Sequence, residues 1–167
     1  MKKLYILSCV GVMVLGACTS NPPVNNPVQV AKESTSIHSE SVRKRLNDCI
    51  IRSNQSADAL LVDSQIIAVT RNNPHAKSLF SSPDKLTDQQ AQALTNYLAE
   101  ANACRPIALE GVNPEMTGVY QDFFKRIDAL YADLIARKIT IGVANQERQL
   151  LIQDAHLKRV AIQIKSK

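Results

Sequence analysis

The sequence lacks the short motifs that identify most catalytic sites. It has only five glycines among 167 residues, and none of them forms a glycine-rich phosphate loop. The G-x-S-x-G turn of serine hydrolases, the H-E-x-x-H motif of zinc proteases and the C-x-x-C-H motif of c-type cytochromes are also missing. These absences argue against an enzyme of a familiar class, and the sequence predicts no catalytic, cofactor-binding or metal-binding residue.

The N-terminus carries the most specific pattern in the chain. Lys2 and Lys3 give it a short positive start, residues 4–15 are mostly apolar and carry no charge, and the small residues Gly16 and Ala17 precede Cys18. A helix needs about 20 apolar residues to span a membrane, so this run is too short for a transmembrane anchor. The pattern is typical of a secretory signal peptide.

The segment Leu15-Gly16-Ala17-Cys18 resembles the lipobox of bacterial lipoproteins. This resemblance covers the first twenty residues only. It implies that a diacylglyceryl group is attached to the Cys18 thiol, that a signal peptide of residues 1–17 is removed, and that two or three acyl chains anchor the mature protein in the cell envelope. Thr19 stands where an Asp would usually retain a lipoprotein in the inner membrane, which implies an outer-membrane protein facing the periplasm. An ordinary signal peptide with an incidental cysteine is the alternative.

The remaining cysteines suggest a disulfide. Cys9 would leave with the signal peptide and Cys18 would carry the lipid, which leaves Cys49 and Cys104 in a compartment where disulfides persist. A metal or redox pair is the alternative, but there is no C-x-x-C spacing and no histidine beside either cysteine. We therefore expect a Cys49–Cys104 bond, which would stabilise the fold by about 4 kcal/mol on the chain-entropy estimate.

The mature chain has little excess charge. Removal of Lys2 and Lys3 with the signal peptide would reduce the formal net charge from +5 to +3, too little to suggest a nucleic-acid partner. Residues 18–36 are rich in Asn, Pro and Ser, which is typical of a disordered tether. Residues 37–167 have the length of one domain.

The domain has the pattern of an all-α protein. Thr87 with Gln90 forms a predicted capping box, Asn113 with Pro114 predicts a second helix start, and Thr140 predicts a third. An earlier helix, ending near residue 72, is predicted from apolar residues at steps of three and four, namely Leu46, Ile50, Ser53, Ala57, Leu60, Ser64 and Ile67. About four helices with short connections predict an antiparallel helical bundle.

Two helices carry unusually wide apolar surfaces. Aromatic residues widen the apolar arc of the third predicted helix, namely Tyr120, Phe123, Phe124 and Tyr131. We expect them to contact neighbouring helices, with a ligand pocket as the alternative. The last predicted helix has two apolar sides separated by charges. We expect one side to pack on the bundle and the other to form an interface, so that either Leu150 with Leu157 or Leu151 with Ile162 is exposed. The alternative is that both sides contact neighbouring helices.

These features together predict a non-enzymatic lipoprotein that binds or supports another component of the cell envelope. Its partner would be an envelope protein or a second copy of the chain. A carrier that holds a small ligand or lipid inside the bundle is the alternative, and an enzyme without a recognisable motif is a further one.

Replacement of Cys18 by Ser should leave an uncleaved precursor, because the lipobox peptidase acts only after the cysteine is modified. Mass spectrometry of the mature N-terminus measures this directly. A wild-type protein that begins with a free amine at Thr19 or later would contradict the lipid anchor.

Overall fold

The described part of the chain is entirely helical. The computed structural model describes the backbone of residues 27–165 and the side chains of residues 40–165. This range contains no strand and seven helices: α1 (Pro27–Ser53), α2 (Ala57–Gln65), α3 (Ala76–Ser81), α4 (Asp88–Asn102), α5 (Arg105–Leu109), α6 (Pro114–Ile135) and α7 (Ile141–Lys165). None of these helices is both long and apolar enough to cross a membrane. The all-α prediction is confirmed, whereas the antiparallel bundle of four helices is not.

The first helix begins earlier than the sequence predicted. Its first residue is Pro27, so residues 27–36, which were predicted to belong to the disordered tether, are helical. Proline is favourable at the first position of a helix, where its missing N–H would have no partner. The rest of the predicted tether, residues 18–26, and the predicted signal peptide lie outside the described residues.

This first predicted helix is also interrupted, and its predicted apolar stripe was wrong in part. A break at residues 54–56 separates α1 from α2, and the Ser56 hydroxyl accepts a hydrogen bond from the amide of Ala59 at 3.2 Å. A serine in this position caps and starts a new helix. Ile50 and Leu60, which the stripe placed in the core, are 44% and 63% exposed.

The other predicted helix starts are confirmed by their capping hydrogen bonds. Thr87 Oγ1 accepts from the amide of Gln90 at 3.2 Å, and Gln90 Oε1 accepts from the amide of Thr87 at 3.0 Å. The side chains of Asn113 and Thr140 accept from amides three residues ahead, at 2.8 and 3.3 Å. The short helix α5, with Pro106 in its first turn, was not predicted.

One hydrophobic core unites α2, α3, α4, α6 and α7. Its buried side chains are Val62, Ile66, Ile67, Leu79, Leu86, Leu94, Ile127, Tyr131, Leu134, Ile141, Ala144 and Leu151. The helices α6 and α7 run antiparallel, because Asp122 near the start of α6 bonds Lys158 near the end of α7, and Tyr131 bonds Arg148. No described side chain of α1 belongs to this core.

The start of α7 is fixed by polar contacts and by a close helix approach. Asn145 is 2% exposed, donates to the carbonyl of Ile66 at 2.7 Å and accepts from the amide of Ala68 at 2.9 Å. Gly142 lies against the end of α3, where a Cβ atom would come within 2.6 Å of the carbonyl oxygen of Ser82. These contacts set the direction in which α7 leaves the core.

The predicted disulfide is present and attaches α1 to the rest of the protein. The Cα atoms of Cys49 and Cys104 are 5.8 Å apart, and Cys104 is the residue that precedes α5. Arg45 of α1 adds two hydrogen bonds to the Glu110 carboxylate, at 2.7 and 2.9 Å. Since Arg45 precedes Cys49 whereas Glu110 follows Cys104, these contacts show that α1 runs antiparallel to α5.

Removal of the disulfide by the double replacement Cys49→Ala and Cys104→Ala should lower the melting temperature by several degrees. The bond closes a loop with a sequence separation of 55 residues, and a domain of this size loses about 2–4 °C for each 1 kcal/mol of lost stability. Thermal melts followed by circular dichroism measure the change, with reduced wild-type protein as the comparison. Equal melting temperatures of the oxidised protein and the variant would show that the bond does not stabilise the fold.

Candidate functional site

The structure places the predicted interface residues of α7 in different surroundings. Leu150 and Leu157 are 57% and 67% exposed, whereas Leu151 is 8% exposed and Ile162 is half-buried. One side of α7 therefore packs on the core, and the other side faces solvent. Cys18, the predicted lipidation site, lies outside the described residues.

The exposed side of α7 carries a row of large apolar side chains, here termed the outer row: Val143, Leu150, Leu157 and Ile164. Their exposed fractions lie between 41% and 69%. Successive members are seven residues apart, which is close to two full turns of an α-helix, so all four lie on one face. The row extends about 32 Å along the helix axis.

The charged residues between the two sides of α7 connect this helix to α6. Asp154 accepts from Arg126 at 2.5 Å and from Lys158 at 2.9 Å, and Lys158 also bonds Asp122 at 3.2 Å. The hydrogen bond from Lys158, together with that from Arg126, lowers the pKa of Asp154. Exposed ion pairs contribute little stability singly, so the network serves mainly to align the two helices.

The second surface feature is a cleft of about 330 Å³, here termed the aromatic cleft. Five helices contribute to its walls, and its aromatic residues are Tyr97, Tyr120, Phe123, Phe124 and Tyr131. For the last four, the sequence predicted contact with neighbouring helices and left a ligand pocket as the alternative. Two hollows elsewhere on the described surface are larger, at about 520 and 630 Å³, but no aromatic side chain lines them.

One wall of the cleft is formed by a second row on α7, here termed the inner row: Arg148, Ile152, Ala155 and Arg159. These residues follow at steps of four, three and four, so they share one face of the helix. An arginine therefore stands at each end of the row, with apolar side chains between. The two arginines are about 16 Å apart along the helix axis.

Another part of the cleft wall is formed by α1 and by the cysteine to which it is bonded. Leu46 and Ile50 of α1 line the cleft, and so does Cys104. The disulfide is thus part of the wall, and the exposure of Ile50 reflects its position at the cleft.

Three arginines line the cleft, and only one of them is paired with a carboxylate. The guanidinium of Arg105 binds Asp128 at 2.6 and 2.7 Å and lies 4.6 Å from the ring centre of Phe124. No ion pair joins Arg148 or Arg159 to a carboxylate within the described side chains. The cleft therefore offers positive charge without a matching negative charge.

Arg148 and Arg159 instead bind tyrosine hydroxyls and backbone carbonyls. Arg148 donates to the Tyr131 hydroxyl at 3.1 Å and to the carbonyl of Ala68 at 3.3 Å. Arg159 donates to the Tyr120 hydroxyl and to the carbonyl of Ala155, both at 3.3 Å, and its guanidinium lies 5.5 Å from the Tyr120 ring centre. Arginine over an aromatic face is a favourable arrangement for the cation.

Burial also affects the tyrosines of the cleft. Burial raises the pKa of Tyr97 from 10.0 to about 12. Burial likewise raises the pKa of Tyr131, although the charge of Arg148 opposes the shift. Both hydroxyls stay protonated at neutral pH, and that of Tyr97 donates to the side-chain oxygen of Asn54 at 3.4 Å.

Sequence reasoning did not identify Tyr97, Arg148 or Arg159 as site residues. The spacing of the inner row was visible in the sequence, with an arginine at each end of an apolar pair. Nothing in that spacing indicated which helices would stand opposite, so the two arginines resembled ordinary surface charges.

Comparison of the chain with protein-family models, curated proteins and solved structures finds no match. The functional interpretation therefore depends on the chain's own geometry. Apolar and aromatic surface with arginine and tyrosine donors is suited to binding, and the outer row is suited to contact with another protein.

The free energy of unfolding should fall as the pH rises from about 10 to about 12. A tyrosine in the unfolded chain ionises near pH 10, whereas Tyr97 in the folded protein has a pKa of about 12. Between these values the folded state binds more protons than the unfolded state. The contribution of Tyr97 to the free energy of unfolding is therefore complete below pH 10 and is lost as the pH rises through the folded pKa. Urea titrations from pH 9 to 12 should show a smaller fall for Tyr97→Phe than for the wild type. An equal fall in the free energy of unfolding for the variant and the wild type would contradict the effect of burial on Tyr97.

Proposed function

We propose that this chain is a bacterial lipoprotein, anchored in the cell envelope through a lipid on Cys18, and that it acts without catalysis by binding another envelope component. The lipobox-like segment that ends at Cys18 supports the anchor, and Thr19 supports an outer-membrane location facing the periplasm. The Cys49–Cys104 bond supports the same assignment, because disulfides persist in the periplasm and are reduced in the cytosol.

The observation that carries the binding function is the outer row. Single exposed apolar residues are common on soluble proteins and need no explanation. Eight large apolar side chains are exposed on the described surface, and four of them belong to this row. Such alignment on one face of one helix distinguishes the row from scattered exposure.

The spacing of the outer row suits a helix of a partner protein. A seven-residue repeat keeps one seam in contact when two helices wind around each other with a left-handed twist. The residues along one edge of the row are uncharged: Gln146, Gln153 and Val160. On the other edge, Glu147 forms no ion pair with a described side chain. A helix with an apolar seam and a basic residue opposite Glu147 would complement this face.

A second function, the binding of a small ligand, is supported by the aromatic cleft. Its volume of about 330 Å³ lies within the range of about 300–1,000 Å³ that is usual for ligand pockets. Such pockets combine apolar and aromatic walls with a few polar groups, as the cleft does. This observation favours the alternative of a carrier protein.

Replacement of Leu150 and Leu157 by Ser should abolish partner capture and leave the fold intact. Both side chains are exposed, so each change should alter the stability by no more than about 0.5 kcal/mol. Apolar residues at the centre of an interface carry much of its binding energy. A photo-crosslinking residue at position 153 of the lipid-anchored protein, irradiated in whole cells, reports what covers the row. Leu60→Ser is the matched control, since Leu60 is 63% exposed but lies on α2.

A crosslinked product should form with the wild type and with Leu60→Ser and be absent from the double variant. A product of twice the mass of the chain would show that a second copy of the chain, and not another protein, covers the outer row. A product that persists in the double variant, or a double variant that unfolds, would refute the interface.

A further inference from the structure

The aromatic cleft holds positive charge that an anion would complement. Arg148 and Arg159 stand at the two ends of the inner row, and no described carboxylate neutralises either. Both arginines are half-buried, and the partial loss of water around a cation is unfavourable unless a counter-charge or good hydrogen bonds compensate it. The electrostatics of the cleft therefore favour a ligand with a negative charge over a neutral or cationic one.

Arg159 is the better placed of the two arginines for a ligand's charged group. Arg148 bonds the carbonyl of Ala68, and this contact holds α7 to the turn that follows α2. The hydrogen bonds of Arg159 reach only its own helix and the Tyr120 hydroxyl, and both measure 3.3 Å, which is long for such bonds. A guanidinium has five N–H donors and binds carboxylates in a bidentate arrangement, so Arg159 retains donors for an anion.

The space between the two arginines suits an unbranched apolar chain. Ile152 and Ala155 lie between them on α7, and Phe123 and Leu98 line the same cleft. At about 330 Å³ the cleft is near the lower limit of ligand pockets, about 300 Å³. That volume fits one acyl chain better than the two chains of a phospholipid.

We infer that the aromatic cleft binds a fatty acid, with the acyl chain along Ile152 and Ala155 and the carboxylate paired with Arg159. This inference rests on the ligand-binding function proposed for the cleft and adds the chemical class of the ligand. The Tyr120 ring beneath Arg159 holds the guanidinium at the cleft, where the carboxylate would complete its hydrogen bonds.

Isothermal titration with dodecanoate tests this inference. The protein used is the mature chain, secreted with an ordinary signal peptide, oxidised, and carrying Cys18→Ser so that no lipid is attached. Dodecanoate should bind at least tenfold more tightly than dodecanol or dodecyltrimethylammonium, because only the carboxylate pairs with Arg159. Arg159→Gln should weaken dodecanoate binding about tenfold and leave dodecanol binding unchanged. Lys125→Gln is the charge-matched control on the exposed side of α6 and should change neither affinity.

The possible failures are distinguishable. Equal affinities for dodecanoate and dodecanol would overturn the fatty-acid assignment and leave the cleft as a ligand site. Absence of binding by both probes would overturn the ligand-binding function as well. Unchanged dodecanoate binding by Arg159→Gln would overturn the role of Arg159. Ala155→Phe should fill the cleft and prevent binding, and a folded Ala155→Phe protein with wild-type affinity would overturn the location.

Discussion

The disulfide between Cys49 and Cys104 is the constraint on which the position of α1 depends. Of the α1 side chains that the structure describes, only Ser53 is buried, and none belongs to the hydrophobic core. Burial of apolar surface is the main term that holds helices together in a folded domain, and α1 contributes little of it. The ion pair of Arg45 with Glu110 is partly exposed and contributes little. The covalent bond therefore determines where α1 lies.

The position of α1 in turn determines the shape of the aromatic cleft. The α6–α7 hairpin is fixed independently of the disulfide, by the hydrophobic core that both helices share. The wall formed by Leu46 and Ile50 depends on the disulfide beside it. The helix α7 takes part in both candidate surfaces, because the inner and outer rows lie on opposite faces, about 180° apart by helical geometry. One helix thus carries the proposed ligand site on one face and the proposed protein contact on the other.

Apart from the disulfide, which followed from a count of the cysteines left in the mature chain, the features predictable from sequence were local. Thr87 and Asn113 mark helix starts through hydrogen bonds to amides three residues away, so their effect needs no tertiary information. The break before α2 was missed because the apolar periodicity continues across Ser56, and capping outweighs periodicity there. The two sides of α7 are similarly apolar, and only the packing of its start, where Asn145 is buried, decides that Leu151 faces inward. The cleft is assembled from five helices. Their relative positions depend on tertiary packing, which could not be predicted from the residue pattern of any single helix.

Amide hydrogen exchange followed by mass spectrometry tests most directly whether the position of α1 depends on the disulfide. The oxidised protein and the dithiothreitol-reduced protein are compared under conditions in which both stay folded. Reduction should accelerate exchange in residues 40–53 of α1 and leave α6 and α7 unchanged, since the core does not include α1. Unchanged exchange in α1 after reduction, or acceleration spread evenly over all helices, would contradict this account.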